Sequence, residues 1–331
     1  MYNNFDLPLS RNGRRRSKGA WSLKHIFIVN PAAGVTDQTE FIREGLEETL
    51  GGTDWQLYRT KAPGDATAFV RSCCETGEIL RFYACGGDGT LNEVASGAMG
   101  SPNAAVGCYP CGSGNDYVKY YGGKDAFLDF RRLVQGEARP VDVIRAADSY
   151  AVNMCHFGLD TTVAKAMNKV KNMKLIGGKH AYTTGVIKAL LSPMNTRCSV
   201  SVDGEEINGG EILLCTIANG SHVGGRFKCA PYSINDDGLL DVCLVTTVSR
   251  LKFVRLAGRY AKGMHLSDPE FKDYVTYRRG KKVEINSPEP DFAVSLDGEI
   301  KYGRKITVEV MERALSFIVP EGVLPYRSEG V

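Results

Sequence analysis

From His25 to Asp116 the chain alternates short apolar runs with segments of helical period, and every apolar run ends in a turn rich in glycine or proline. The runs are HIFIVNP (25–31), DWQLYRT (54–60), ILRFYACGG (79–87) and NAAVGCYP (103–110). Between them lie TDQTEFIREGLEETLGG, GDATAFVRSCCETG and TLNEVASGAM, which read as helices. Alternation of this kind predicts a parallel sheet covered by helices. In such a sheet the turns that follow the strands gather along one edge, where ligands bind.

After about residue 138 the texture changes. RPVDVIRA, SYAVNMCHFG, TRCSVSVDGEEI, GGEILLCTIANG, GLLDVCLVTTV, KKVEINS, FAVSLDGEI, KITVEVM and ALSFIVP are short strand candidates separated by Gly, Asn, Asp or Pro. They predict an antiparallel sandwich or barrel. Helical stretches interrupt them near 160–172, 179–191 and 250–263. The expected division is a basic, disordered tail over 1–24, an α/β domain over 25–145 and a β-rich domain over 146–311. The last segment, 312–331, is a candidate to return to the first domain.

Net charge is +3, but residues 1–24 carry six Lys/Arg and one Asp, so the excess sits in the tail. Arg11, Arg14, Arg15, Arg16 and Lys18 fit a solubilising arm, an anchor to anionic lipid or a nucleic-acid arm. No nucleic-acid partner is expected. No apolar run approaches the roughly 20 residues of a membrane span, and the N-terminus lacks a signal-peptide core. A cytoplasmic, peripherally membrane-associated protein is expected. Ten Cys are scattered, with one CxxC, CYPC at 108–111. A second ligand pair for zinc is missing, which leaves reduced thiols or a redox pair.

Three glycine-rich turns stand out: NPAAG (30–34), GGDGTLNE (86–93) and GSGND (112–116). Glycine permits close backbone approach, successive N–H groups form an anion nest, and a following helix adds its positive end. Walker A is absent, and the third glycine of a dinucleotide fingerprint is replaced by Asn92. Protein-kinase HRD and DFG elements are also absent.

GGDGTLNEV, with NPAAG upstream and GSGNDYVK downstream, resembles the diacylglycerol kinase catalytic family. That group includes bacterial lipid kinases and the sphingosine and ceramide kinases, and its nucleotide-binding core is shared with NAD kinases. The resemblance runs from about 25 to 320. It implies an α/β nucleotide-binding domain of NAD-kinase/diacylglycerol-kinase type plus a mainly antiparallel β-sandwich domain. Where the family commonly has Leu-Gly-Thr-Gly-Asn-Asp, this chain has Pro110-Cys111-Gly112-Ser113-Gly114-Asn115-Asp116; Ser113 keeps the hydroxyl. By resemblance, ATP would be lined by Asn30, Pro31, Ala32, Ala33, Gly34, Thr60, Gly86, Gly87, Asp88, Gly89, Thr90, Leu91, Asn92, Glu93, Gly112, Ser113, Gly114 and Asn115. Mg²⁺ would use Asp88 and Asp116, with Asp142 of PVDV at a third acidic position or an ordinary strand-end aspartate. APYSINDDGLLDV resembles the family's structural Mg²⁺ loop, with Asp237 and the carbonyls of Ile234 and Leu239 as ligands. A plain Asp-Asp-Gly turn is the alternative.

Phosphoryl transfer to a hydroxyl needs a group to take its proton. The histidines, at 25, 156, 180, 222 and 265, fall in no recognisable motif. Asp-Gly-Glu occurs twice, in SVSVDGEEI (199–207) and AVSLDGEI (293–300), each a favoured hairpin turn. In the family the catalytic carboxylate lies in a C-terminal Asp-Gly-Glu, which matches Glu299 with Asp297 in support; Glu205 does not match. The implied partner is a lipid alcohol at a membrane surface: diacylglycerol, undecaprenol, a sphingoid base and phosphatidylglycerol all stay open. RLKFVRLAGRYAKG (250–263) reads as a basic amphipathic helix, either interfacial or packed on the core. Lys165, Lys169, Lys171, Lys174 and Lys179 form a second basic cluster. A homodimer is left open. NAD kinase and a non-catalytic nucleotide or lipid sensor are the alternative functions.

Overall fold

A computed structural model describes residues 23–159, 161 and 194–325 of the chain. The tail arginines, the candidate helices near 160–172 and 179–191 and their lysine cluster fall essentially outside the described residues. Strands β1 (Leu23–Val29), β2 (Trp55–Arg59), β3 (Ile79–Gly86) and β4 (Ala104–Pro110) pair in parallel in the order β4-β3-β1-β2. Helices α1 (Thr39–Leu50), α2 (Asp65–Cys74) and α3 (Asp88–Ala98) connect them. The strand runs are continuously apolar because cover on both faces removes any reason to alternate. Ile42, Leu46 and Leu50 of α1, Val70 of α2 and Val94 of α3 join Ile26, Ile28, Phe82 and Val106 in one core. The spacing of the α1 residues puts them on one helical face.

The second half contains α4 (Phe130–Val134), β5 (Glu137–Ala146), β6 (Ser149–Ala151), β7 (Met154–Gly158), β8 (Thr196–Arg197), β9 (Ser199–Val202), β10 (Glu205–Glu206), β11 (Glu211–Ile212) and β12 (Leu214–Ala218). It continues with β13 (Leu240–Val245), α5 (Arg250–Ala261), β14 (Val275–Gly280), β15 (Lys282–Asn286), β16 (Ala293–Leu296), β17 (Glu299–Tyr302) and β18 (Lys305–Val319). Six of these strands form an antiparallel sheet in the order β14-β13-β12-β7-β16-β17. Its inner face, including Phe157, Ile217, Val242 and Val294, packs on Ile144, Val200, Val283 and Val308 of the other sheet. That is the expected sandwich.

Two strand expectations need correction. SYAVNMCHFG is two strands, β6 and β7, separated at Val152 and Asn153. KITVEVM and ALSFIVP are one 15-residue strand, β18. One edge of β18 pairs with β5, while the opposite edge takes β15 antiparallel and then, at Phe317, β4 in parallel. The parallel sheet and the sandwich therefore share one continuous hydrogen-bonded sheet. The break that looks like a turn in the sequence is a bulge between Met311 and Leu315, where Arg313 has φ +49°.

Asp142 holds that bulge. It is fully buried on β5, and its carboxylate accepts N–H bonds from Arg313 (2.7 Å) and Gly238 (2.7 Å). Burial raises its pKa above the usual carboxylate value. Asp142→Ala would strand two buried donors, so urea unfolding should show a loss of roughly 2–4 kcal/mol. A loss under about 0.5 kcal/mol would remove this anchoring role.

Candidate active site

The carboxyl ends of the parallel strands are tied together by their own backbone. Asn30 N–H donates to Cys85 O, Thr60 N–H to Val29 O, and Cys111 N–H to Gly86 O. These bonds align the three glycine-rich turns. Asn30 Nδ2 donates to Thr90 Oγ1 at 3.0 Å, and Asn30 Oδ1 accepts from Ala32 N–H at 3.0 Å, so one side chain stitches NPAAG to GGDGT. A Cβ at Gly34 would lie 2.6 Å from Cys111 O, and one at Gly112 would collide with Gly87 Cα. The three turns thus touch backbone to backbone, which any side chain there would prevent.

Helix α3 begins at Asp88, two residues before the expected Thr90, because extended Gly87 serves as its N-cap. No side chain caps it, so its first-turn N–H groups keep their capacity for an anion. Leu91 departs from the expected lining: it is buried in the hydrophobic core, and only its backbone is available to a ligand. Asn92 and Asn115 each carry a buried side-chain oxygen without a hydrogen-bond partner. Ser113 is exposed at the tip of its turn, and Thr60 is buried at the end of β2.

Asp88 and Asp116 come together. Asp88 Oδ1 accepts from Asp116 N–H (2.6 Å) and Tyr117 N–H (3.3 Å). Their other oxygens face a common space beside Gly114, whose added Cβ would lie 2.8 Å from Asp88 Oδ2 and 3.4 Å from Asp116 Oδ2. Burial, followed by the charge of Asp116, raises the pKa of Asp88. Two carboxylates at one cradle favour a shared cation. Two hard oxygen ligands also suit Mg²⁺, which takes one or two carboxylates and completes its shell with water and phosphate.

Other partners of Asp116 escaped the sequence reading. Lys119 Nζ lies 2.5 Å from Asp116 Oδ1, and Gly225 N–H donates to both Asp116 oxygens at 2.9 and 3.2 Å. Lys119 was legible three residues along in NDYVK. Gly225, more than a hundred residues away, was not. It belongs to the loop after β12, where His222 is half-buried with Ser221 Oγ 2.8 Å from its Nδ1. Burial, with Lys119 and Lys228 nearby, lowers the pKa of His222 to about 4, so it is neutral at physiological pH. Below, Asn235 Nδ2 donates to Tyr117 OH (3.0 Å) and Tyr121 OH (2.8 Å), fastening NDYVKYY to the second domain.

The turn before β17 reaches the same region. The Asp297 carboxylate accepts N–H bonds from Val152 (2.8 Å), Asn153 (3.1 Å) and Met154 (2.9 Å), and its own N–H donates to Met154 O. Desolvation, with a contribution from the charge of Asp88, pushes Asp297 up to about 7. Glu299 is exposed, with Lys301 Nζ 3.3 Å away.

Asp142 and Asp237 lie in a different group. Asp142 has Asp236 and Asp237 as charged neighbours. Asp237 Oδ1 accepts from Leu239 N–H at 3.1 Å, and its Oδ2 pairs with Arg279. Arg279 also lies 3.5 Å from buried Asp241, so a guanidinium supplies positive charge to the Ile234–Leu239 loop. Desolvation holds Asp241 up at about 6. Among the described residues no three His, Cys, Asp or Glu side chains group as metal ligands. The cysteines of CYPC are free thiols. Two open surface cavities, of about 640 and 600 Å³, are lined by no residue of the aspartate site.

Two family models match the chain. Residues 24–146 match the diacylglycerol kinase catalytic domain, and residues 153–319 match the YegS C-terminal NAD kinase beta sandwich-like domain. A diacylglycerol kinase of Bacillus subtilis is 28% identical over 305 residues, covering 89% of this chain and 95% of its own length. A Chromohalobacter salexigens protein named as a YegS-like probable lipid kinase is 30% identical over 264 residues, covering 78% and 82%. A crystal structure of a diacylglycerol kinase from Bacillus anthracis superposes with a TM-score of 0.68 at 20% identity, covering 91% of this chain and 98% of that one. At that identity the superposition establishes the shared fold.

Proposed function

Because the chain belongs to the diacylglycerol kinase catalytic-domain family, with a YegS-type sandwich domain following, we propose that it moves the γ-phosphoryl group of ATP onto a lipid hydroxyl with Mg²⁺ and Glu299 as general base. It is a phosphotransferase with an alcohol acceptor, of the lipid-kinase class. The observation that carries the finer reading is the meeting of Asp88 and Asp116 beside three contacting glycine-rich loops, with the Asp297 turn within electrostatic reach of Asp88.

The loops of the first domain hold the nucleotide phosphates through backbone N–H groups and the uncapped start of α3. Asp88 and Asp116 hold Mg²⁺, which neutralises phosphate oxygens when bound. Lys119 lies within hydrogen-bond reach of Asp116 and adds a positive charge to the aspartate site. Glu299 takes the hydroxyl proton as the acceptor oxygen bonds to phosphorus and ADP leaves. Asp297 acts through Glu299 by fixing the turn that presents it.

An assay of label transfer from ATP to a lipid panel tests this, with NAD included as acceptor. Label in a lipid alcohol is the expected result; label only in NADP, or in nothing, would sink it. The pH profile is a separate check. Ionised Asp297 accepts all three N–H bonds with both oxygens, and protonation removes acceptor capacity. kcat/KM should therefore rise about tenfold between pH 6 and 8 with a midpoint near 7. Asp297→Asn should flatten that rise, and an unchanged profile in the variant would assign the titration elsewhere.

A further inference from the structure

Helix α5 buries one face and leaves apolar residues on the other. Leu256 is buried, while Phe253 and Tyr260 pack on the outer side of the antiparallel sheet, against Leu213, Leu214 and Val245. On the outward side Leu251 is 86% exposed and Val254 58% exposed. Exposed Gly258 follows at i+7 from Leu251, and Met264, 39% exposed, lies just beyond the helix. Three of the seven large apolar side chains exposed among the described residues thus fall between 251 and 264, making a patch rather than scatter.

The patch is set in positive charge. From Val242 to Ser267 the sequence has no Asp or Glu and five Lys/Arg. Arg255 and Lys262 are exposed on the same side, at i+4 and i+11 from Leu251. Arg255 and Arg259 meet Asp268 and Glu270, and the excess over those two acids stays positive. An apolar stripe flanked by an excess of cations, with Glu211 in the cavity beside Leu251 and Glu270 paired with Arg255, suits a bilayer with anionic headgroups and opposes a basic protein surface.

The end of α5 is joined to the candidate active site. Lys228 N–H donates to Ala261 O at 3.0 Å, and Tyr260 packs on Cys229 and Ala230. The same loop, through Gly225, holds Asp116.

We propose that the outward face of α5, through Leu251, Val254 and the flanking Arg255 and Lys262, docks the protein on an anionic lipid bilayer. This rests on the lipid-kinase reading for its purpose, not for its measurement. Docked there, the protein has the surface that supplies its acceptor on the second-domain side of the candidate active site. The loop from Ser221 to Lys228 links that surface to Asp116.

The test is flotation, without ATP, on phosphatidylcholine vesicles with and without an equal share of phosphatidylglycerol. The parent should bind the anionic vesicles, and L251E/V254E should bind them at least ~30-fold more weakly. Phe41→Glu, at an exposed apolar position on α1, should bind as the parent does. Activity on a short-chain diacylglycerol dissolved in water should stay within about twofold for L251E/V254E. Parent-like binding by L251E/V254E, or parent binding that ignores the anionic lipid, would overturn the proposal. So would loss of the short-chain activity, or lipid-free self-association of the parent that L251E/V254E abolishes. If the parent phosphorylates no lipid but its vesicle binding is lost in L251E/V254E, the docking surface stands and the kinase reading falls.

Discussion

Glu299→Ala is expected to lower kcat by about 10³-fold while leaving ATP affinity within about twofold. The magnitude is that of a positioned general base. Affinity should survive because Glu299 is exposed on β17, while the nucleotide loops are held by Asn30, Gly34 and Gly112. Glu205→Ala is the internal control. Glu205 also follows an Asp-Gly turn, and its replacement should change kcat by less than twofold. Single-turnover transfer to lipid, with fluorescent-nucleotide titration alongside, separates the two effects. Equal losses from both substitutions would mean that Glu299 has no special part in the chemistry.

Asp88→Asn should reduce kcat/KM by a similar factor, for a different reason. Asparagine can still accept the N–H bonds of Asp116 and Tyr117, so the loop should keep its shape. What it loses is one of two carboxylate charges at the Gly114 cradle. A metal-held phosphoryl group depends on several kcal/mol of charge stabilisation, or roughly 10³-fold in rate. The Mg²⁺ concentration for half-maximal activity should rise at least tenfold. A variant with reduced rate but unchanged Mg²⁺ dependence would show that Asp88 shapes the loop without holding the ion.

Much of the first domain was legible because its signals are local. Each strand of the parallel sheet is a contiguous apolar run, and each glycine-rich turn is contiguous too. GGDGT could be read as a glycine-rich strand-to-helix turn from its own residues. The second half was less legible where pairing is non-local. β18 looked like two strands because Glu312 and Arg313 interrupt the apolar pattern; Asp142, on another strand, turns that interruption into a bulge. Leu91 looked like part of a ligand-lining motif, but helical period sends it into the core. Gly225 gave no signal at all, since its N–H is only a backbone donor until folding brings it to Asp116.

The two Asp-Gly-Glu segments divide what sequence decides from what folding decides. Asp203 and Asp297 have φ of +49° and +45°, and Gly204 and Gly298 follow at +89° and +96°. Both form the same two-residue hairpin turn, pairing Val202 with Glu205 and Leu296 with Glu299. Local chemistry determined that much, because Asp-Gly tolerates these dihedrals wherever it occurs. The aspartates then differ in their partners. Asp203 accepts from Lys281 and Lys282 N–H on the far side of the sandwich, whereas Asp297 accepts from the Val152–Met154 turn within electrostatic reach of Asp88. A carboxylate with free lone pairs bonds whichever backbone N–H groups the fold supplies, so only the tertiary structure decided which turn lies within electrostatic reach of Asp88.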